Sequence, residues 1–150
     1  MRLVFLDTGT LGVLTNPKGT PIALSCQHWV RALLLARVRV IVPGIADYEL
    51  RRELIRAGKV EGLRRLNTAR EGLEFAPITQ AALDRAAELW AAARTSGLPT
   101  AGNQSLDGDV ILAAQALLAV GSGDSVIIAT DNVGHLSRFV DAEPWTAIQA

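Results

Sequence analysis

The sequence predicts a single α/β domain built on a parallel sheet with helices on both faces. Short runs of Val, Ile, Leu and Phe alternate with longer helix-forming segments along the whole chain, and this alternation is the mark of strand–helix–strand units. The chain has 150 residues, of which 49% are apolar and 20% charged, so it can bury a sizeable core and does not read as disordered. No internal repeat or low-complexity segment divides it, so residues 1–150 read as one domain.

Val4-Phe5-Leu6 reads as a buried strand that ends at Asp7-Thr8-Gly9. Pro17 to Thr20 is a turn, and Pro21 opens a helix through Arg37, since the missing N–H of proline costs nothing at a first helical position. Val38 to Val42 is the second strand, stopped by Pro43-Gly44. Ile45 to Ala57 is a helix with Gly58 as its stop, Val60 to Arg70 another, and Gly72 to Ala76 a short strand. Thr79 is placed to cap an alanine-rich helix over Gln80 to Thr95. Gly97, Pro99, Gly102 and Asn103 make residues 96–104 a loop. Leu106 to Val120 is a helix, Ser125 to Ala129 a strand, and Asp131 to Phe139 a short helix. Trp145 falls on a final strand or tail.

Fifteen Lys and Arg balance fifteen Asp and Glu, which argues against a simple polycation that coats nucleic acid. The charge is nevertheless segregated. Residues 31–70 hold ten basic residues against four acids, and residues 71–150 hold three against ten. The basic segment reads either as a solvated helix face with ion pairs or as a footprint for a phosphate backbone. The single cysteine, Cys26, rules out an internal disulfide and a cysteine-rich zinc site and fits a reducing compartment. The apolar run Leu3 to Leu6 is too short for a secretion signal, and Val110 to Gly121 is too short for a bilayer. A soluble cytoplasmic protein with no membrane partner is therefore expected.

Ligands of open α/β sheets gather at the carboxyl ends of the strands, and acids fall there repeatedly. Asp7 directly follows the first strand. Asp47 and Glu49 lie in the first turns of the helix after the second. Asp131 follows the strand ending at Ala129, and Asp107 and Asp109 open the helix before that strand. Acids brought to one rim repel one another unless a cation sits among them. Mg²⁺ or Mn²⁺, which prefer oxygen ligands, would meet that need and activate a phosphoryl group. Asp47, Asp107 and Asp109 have a plainer reading as first-turn acids that complement a helix dipole. His28 and His135 share no metal-ligand spacing and read as surface or satisfied histidines. Cys26 reads as an inert core thiol, and Trp29, Trp90 and Trp145 as packing residues.

In chain order, Val-Phe-Leu-Asp7-Thr8, Val-Pro-Gly-Ile-Ala-Asp-Tyr-Glu49-Leu, Asp109-Val-Ile-Leu-Ala-Ala-Gln-Ala and Ile-Ala-Thr130-Asp131-Asn132 resemble the motifs of the PIN domain family. That family includes the VapC-type toxins of bacterial toxin–antitoxin pairs, and the resemblance spans essentially the whole chain. It implies a Rossmann-like PIN fold and a ribonuclease dependent on Mg²⁺ or Mn²⁺. It also implies an RNA substrate, an antitoxin as candidate partner, and a homodimer. By motif position, Asp7, Glu49, Asp109 and Asp131 carry over as metal-binding catalytic acids, with Thr8, Thr130 and Asn132 as polar supports. Asp107 and Asp109 point about 200° apart on a helix. Asp109 is preferred because it sets the phase of the helix behind it, and Glu49 is preferred to Asp47 for its longer reach. Arg51, Arg52 and Arg56, with Arg64 and Arg65, are expected near the entrance as RNA-backbone contacts.

Two other readings compete. One is a PIN-fold module that binds RNA or protein without chemistry. The other is a haloacid-dehalogenase-type phosphatase, whose first motif Phe-Leu-Asp7-Thr8-Gly9-Thr10-Leu11 resembles. Those enzymes need an acid two residues after the nucleophile, and here that residue is Gly9.

Overall fold

The computed structural model describes residues 1–97 and 103–150. The elements run β1 (Arg2–Leu6), α1 (Thr8–Leu14), α2 (Pro21–Leu35), β2 (Arg39–Pro43), α3 (Gly44–Arg56), α4 (Val60–Gly72), β3 (Glu74–Ala76) and α5 (Gln80–Thr95). They continue with α6 (Asn103–Ala119), β4 (Ser125–Ala129), α7 (Val133–Leu136), β5 (Ala142–Glu143) and a 3₁₀ turn at Trp145–Ala147. The five strands form one sheet in the order β3-β2-β1-β4-β5, and every neighbouring pair is parallel. The expected parallel α/β architecture is the observed one.

Alternation along the strands explains the two layers. Val4 and Leu6 of β1 with Val40 and Val42 of β2 face one side, where Leu11, Val30, Leu33 and Leu66 from α1, α2 and α4 cover them. Leu3, Phe5, Ile41 and Ile128 face the other side, under Leu112, Ala113 and Ala116 of α6 and Leu136 of α7. Successive strand residues point to opposite faces, so strands covered on both sides must be apolar throughout, and these are. α5 packs on α6 through Ala86, Leu106, Val110 and Ala114.

α3 starts across the carboxyl edge of the sheet. Its Ile45 joins one core and its Ala46 the other. Gln115 of α6 fixes that crossing. Its buried amide donates to Ala76 O at 2.8 Å and Pro77 O at 3.1 Å, and accepts from Ile45 N at 3.3 Å. Asp47 is 5% exposed and is held by Nε and Nη2 of Arg51, each at 3.0 Å, and by Arg70 at 3.4 Å, which ties α3 to α4.

Three local expectations are corrected. α1 was not expected, because Thr-Gly-Thr-Leu-Gly-Val-Leu is poor in helix formers. It forms because Asp7 caps it, Leu11 enters the core and Thr10 donates to Ala129 O at 2.9 Å. The segment after β4 is helical only over Val133–Leu136, and β5 is a two-residue strand at Ala142–Glu143. Trp145 is in the 3₁₀ turn rather than a strand, packed against Trp29 with centroids 5.6 Å apart and ring planes inclined by 47°. Of the loop expected over 96–104, residues 98–102 lie outside the described residues, and Asn103 already belongs to α6. Among the described residues no helix is long and apolar enough to cross a membrane.

Gln115→Leu keeps most of the volume but takes the acceptor from the buried Ile45 amide and the donor from two part-buried carbonyls. At roughly 1–3 kcal/mol for one buried group left unpaired, unfolding in urea is expected at a lower midpoint, with a loss of about 1–3 kcal/mol. An unchanged midpoint would show that the clamp contributes nothing.

Candidate active site

The strand order reverses between β1 and β4, and the carboxyl ends of strands at such a switch point are where open α/β sheets bind ligands. Asp7 and Asp131 stand at these ends. Asp7 is half-buried and caps α1, with Oδ1 accepting the Thr8 amide at 2.7 Å. Its Oδ2 accepts the Thr130 hydroxyl at 2.6 Å, and that hydroxyl in turn accepts the Asn132 amide at 2.8 Å. The Thr8 hydroxyl donates to Glu49 Oε1 at 2.7 Å. Thr8, Thr130 and Asn132 thus lie between or beside the acids they were expected to support.

Asp109 reaches the same place from α6. Asp107 is exposed, and Asp109 is half-buried with Oδ2 wholly out of solvent and without a hydrogen bond among the described residues. Burial, followed by the negative charge of Asp7, pushes its carboxyl from 3.8 up to about 6. His135 and Arg138 pull it back in part, while Glu49 adds to the rise. Gly108 leaves room for the Glu49 carboxylate against α6, since a Cβ there would come within 2.9 Å of Glu49 Oε2 and push the carboxylate aside. Asp131 is exposed, and a Cβ on Gly9 would stand 3.8 Å from its Oδ2.

The structure therefore brings Asp7, Glu49 and Asp109 into mutual electrostatic reach. It places Asp47 elsewhere, saturated by two arginines. The acids do not stand as a ready ligand set: among the described residues no three Asp, Glu, His or Cys side chains are grouped as they would be around an ion. Asp7 and Glu49 are turned instead to hydroxyl and amide donors. A carboxylate has about four acceptor positions, so these bonds leave lone pairs on both. The buried, unpartnered Asp109 oxygen beside two further acids is the feature that a hard cation would satisfy.

His135 was read as a bystander, yet its Nδ1 is buried without a hydrogen bond 3.8 Å from Asp109 Oδ2. Arg138 also bears on Asp109. Neither shows in sequence spacing, because α7 is brought over α6 only by the sheet. Arg51, expected to contact RNA, is instead engaged by Asp47 and by Asn67 at 2.8 Å. Arg56 forms an exposed pair with Glu53 at 2.9 Å, and Arg52 lies over the Tyr48 ring. Cys26 is buried in α2 and its thiol is pushed up to about 12 by burial, as an inert thiol should be.

The fold has known counterparts. A chain of VapBC2 from Rickettsia felis, solved bound to a DNA fragment from their promoter, superposes with a TM-score of 0.72 at 20% identity, covering 95% of this chain and 98% of that one. The chain has a PIN-domain fold. VapBC-1 from nontypeable Haemophilus influenzae gives 0.65 at 17% identity, with 96% and 98% covered. DNA-bound VapBC from Salmonella typhimurium gives 0.61 at 21% identity, with 97% and 99% covered. No protein-family profile matches the sequence, and no curated protein matches it.

The two buried acids should respond oppositely to loss of charge. In chelator, Asp109→Asn is expected to stabilise the protein at neutral pH by about 1–2 kcal/mol, given 1.36 kcal/mol per unit of pKa shift and partial solvent screening. A raised acid binds its proton more readily in the folded state. Wild-type stability should therefore fall as pH rises from about 4 to about 6, and the variant should lose that slope. Asp47→Asn should destabilise by about 1–3 kcal/mol. Thermal melts across pH check both signs.

Proposed function

We propose that the protein is a divalent-metal-dependent endoribonuclease of the PIN-domain, VapC-like type, acting in the cytoplasm as the toxin partner of an antitoxin. The observation that carries the reading is the buried Asp109 Oδ2, which has no hydrogen bond among the described residues and lies in the field of Asp7 and Glu49 at the sheet's switch point. The likeness to chains of VapBC assemblies over nearly the whole length supports the same reading.

Asp7, Asp109 and Asp131 would hold Mg²⁺ or Mn²⁺, with Glu49 completing the shell directly or through water. The ion would supply Lewis acidity to the phosphodiester and neutralise developing charge. The chain's own part is positioning. Thr130 fixes Asp7 Oδ2, Thr8 fixes Glu49 Oε1, and the helix cap fixes Asp7 Oδ1. Groups held in this way need no reorganisation when substrate arrives. Arg52 and Arg56 project from α3, the helix that carries Glu49, and would hold the RNA backbone. The weak exposed pair to Glu53 leaves Arg56 available. Leu24 and Leu35 of α2, eleven residues apart and so on one helix face, are 45% and 81% exposed, and a protein partner, an antitoxin or a second copy, would cover them.

Two measurements test the reading. Asp7→Asn should remove RNA cleavage by at least about a hundredfold and abolish the rise in melting temperature that Mn²⁺ gives the wild type, while the fold persists. Wild-type cleavage by that variant, or a wild type that Mn²⁺ does not stabilise, would overturn the metal site. Arg52→Gln with Arg56→Gln should weaken binding of single-stranded RNA and lower the salt slope by roughly 0.7 per lost phosphate contact. An unchanged slope would assign both arginines to the solvated face.

A further inference from the structure

We infer that the cleft between α3 and α6 beside Glu49 is a nucleobase subsite, in which a base of the RNA strand stacks on Tyr48 and gives its N–H donors to Asp107. The inference rests on the ribonuclease reading and deepens it, because it names what the enzyme would read next to the phosphate it cuts.

The cleft measures about 560 Å³ and is lined by Ile45, Tyr48, Arg52, Glu53, Asp107 and Ile111. Glu49 and Gly108 form the wall it shares with the acids. A ligand seated in the cleft therefore also borders the candidate active site. Tyr48 is 55% exposed, and a large ring left open beside a charged site is a stacking platform rather than a core residue. Arg52, one turn further along α3, holds its guanidinium 5.1 Å from the ring centroid.

Arg52 is the arginine that lines the cleft, and it differs from the arginines that form ion pairs. Arg39, Arg51, Arg56, Arg64, Arg70 and Arg85 each have a carboxylate partner. Arg52 has none among the described residues, and its described contact is the Tyr48 ring. It is a cation without a direct ion pair among the described residues, mounted on an aromatic face in a cleft it shares with Glu49, Glu53 and Asp107. Aromatic faces joined with arginine are how single-stranded nucleic acid is commonly held. Beside it on α3, Glu53 is already answered by Arg56, and the acid across the cleft is Asp107 of α6. Asp107 is exposed and has no hydrogen bond or ion pair among the described residues. An ionised carboxylate only accepts, so it favours a base edge carrying adjacent N–H groups. Guanine offers N1–H and the N2 amine side by side. Uracil offers one N–H between two carbonyls, which would face the carboxylate oxygens unfavourably. The apolar floor of Ile45 and Ile111 suits the flat face of either base. Single-stranded RNA is read on such Watson–Crick edges by stacking combined with hydrogen bonding.

The test is direct binding without catalysis. Fluorescently labelled seven-nucleotide uridine RNAs, with one guanosine moved through each position, are titrated with the protein in EDTA. The wild type is expected to bind at least one guanosine-containing RNA several-fold more tightly than the all-uridine strand. Tyr48→Ala should weaken that complex about tenfold, and Tyr48→Phe should retain it, because stacking needs the ring and not the hydroxyl. Asp107→Asn should remove the guanosine preference while the all-uridine strand binds as before or more tightly. If the wild type binds none of these RNAs in EDTA, the subsite is overturned, because stacking on Tyr48 and bonding to Asp107 need no metal, while the ribonuclease reading is decided separately by the Asp7→Asn cleavage assay. If it binds them and Tyr48→Ala binds equally well, the ribonuclease reading stands and the subsite is overturned. Loss of binding in Tyr48→Phe as well would reduce Tyr48 to a structural role, and a guanosine preference that survives Asp107→Asn would remove Asp107 from recognition.

Discussion

The join between the carboxyl ends of β1 and β4 is the interaction on which the site depends. The Ala129 carbonyl accepts the Asp7 amide at 3.0 Å and the Thr10 hydroxyl at 2.9 Å. One residue on, the Thr130 hydroxyl reaches back to Asp7. These bonds hold the first acid and the approach to the last acid in one frame. They also anchor α1, a helix whose sequence would not hold it alone. The two apolar layers place β1 and β4 side by side, and the polar join then converts that adjacency into fixed side-chain geometry. Polar bonds of this kind add little net stability in an exposed setting. Here their value is registration.

The contrast between Asp47 and Asp109 shows how the same residue type serves two ends. Asp47 is the more deeply buried, yet two guanidiniums answer its charge, so it acts as a strut between α3 and α4. Asp109 faces two other acids, and His135 and Arg138 offset them only in part. Its ionised form is therefore held at a cost to folding. Locally unfavourable electrostatics of this kind concentrate at functional sites, where a ligand relieves them.

Much of this was legible in the sequence. The strands were visible because burial on both faces demands uninterrupted apolar runs. The choice of Asp109 over Asp107 followed from helical phase: Leu112, Ala113 and Ala116 face the sheet, and a residue three, four and seven positions before them lies on the same side. The distinction between Glu49 and Asp47 could be read only in part. Arg51 is one turn from Asp47 and visible as a partner, but Arg70 comes from another helix. α1 escaped because its stability is tertiary, and β5 escaped because two residues make no pattern. His135 escaped because nothing in its spacing connects it to Asp109; α7 reaches α6 only through the sheet.

The bond from Thr130 to Asp7 spans 123 residues, and this has a consequence for the birth of the molecule. A chain emerging from the ribosome can pair β1 with β2 early, since their register links Leu3 to Arg39. The other flank of β1 stays uncovered until β4 has been made. Until then Asp7 lacks Thr130, the crevice has one wall, and Asp131 does not yet exist. Long-range pairing of this kind forms late because loop closure precedes the contacts that reward it. A chain interrupted before β4 therefore lacks the site altogether, so a cell translating this message would meet any activity it carries only after Thr130 and Asp131 have been made.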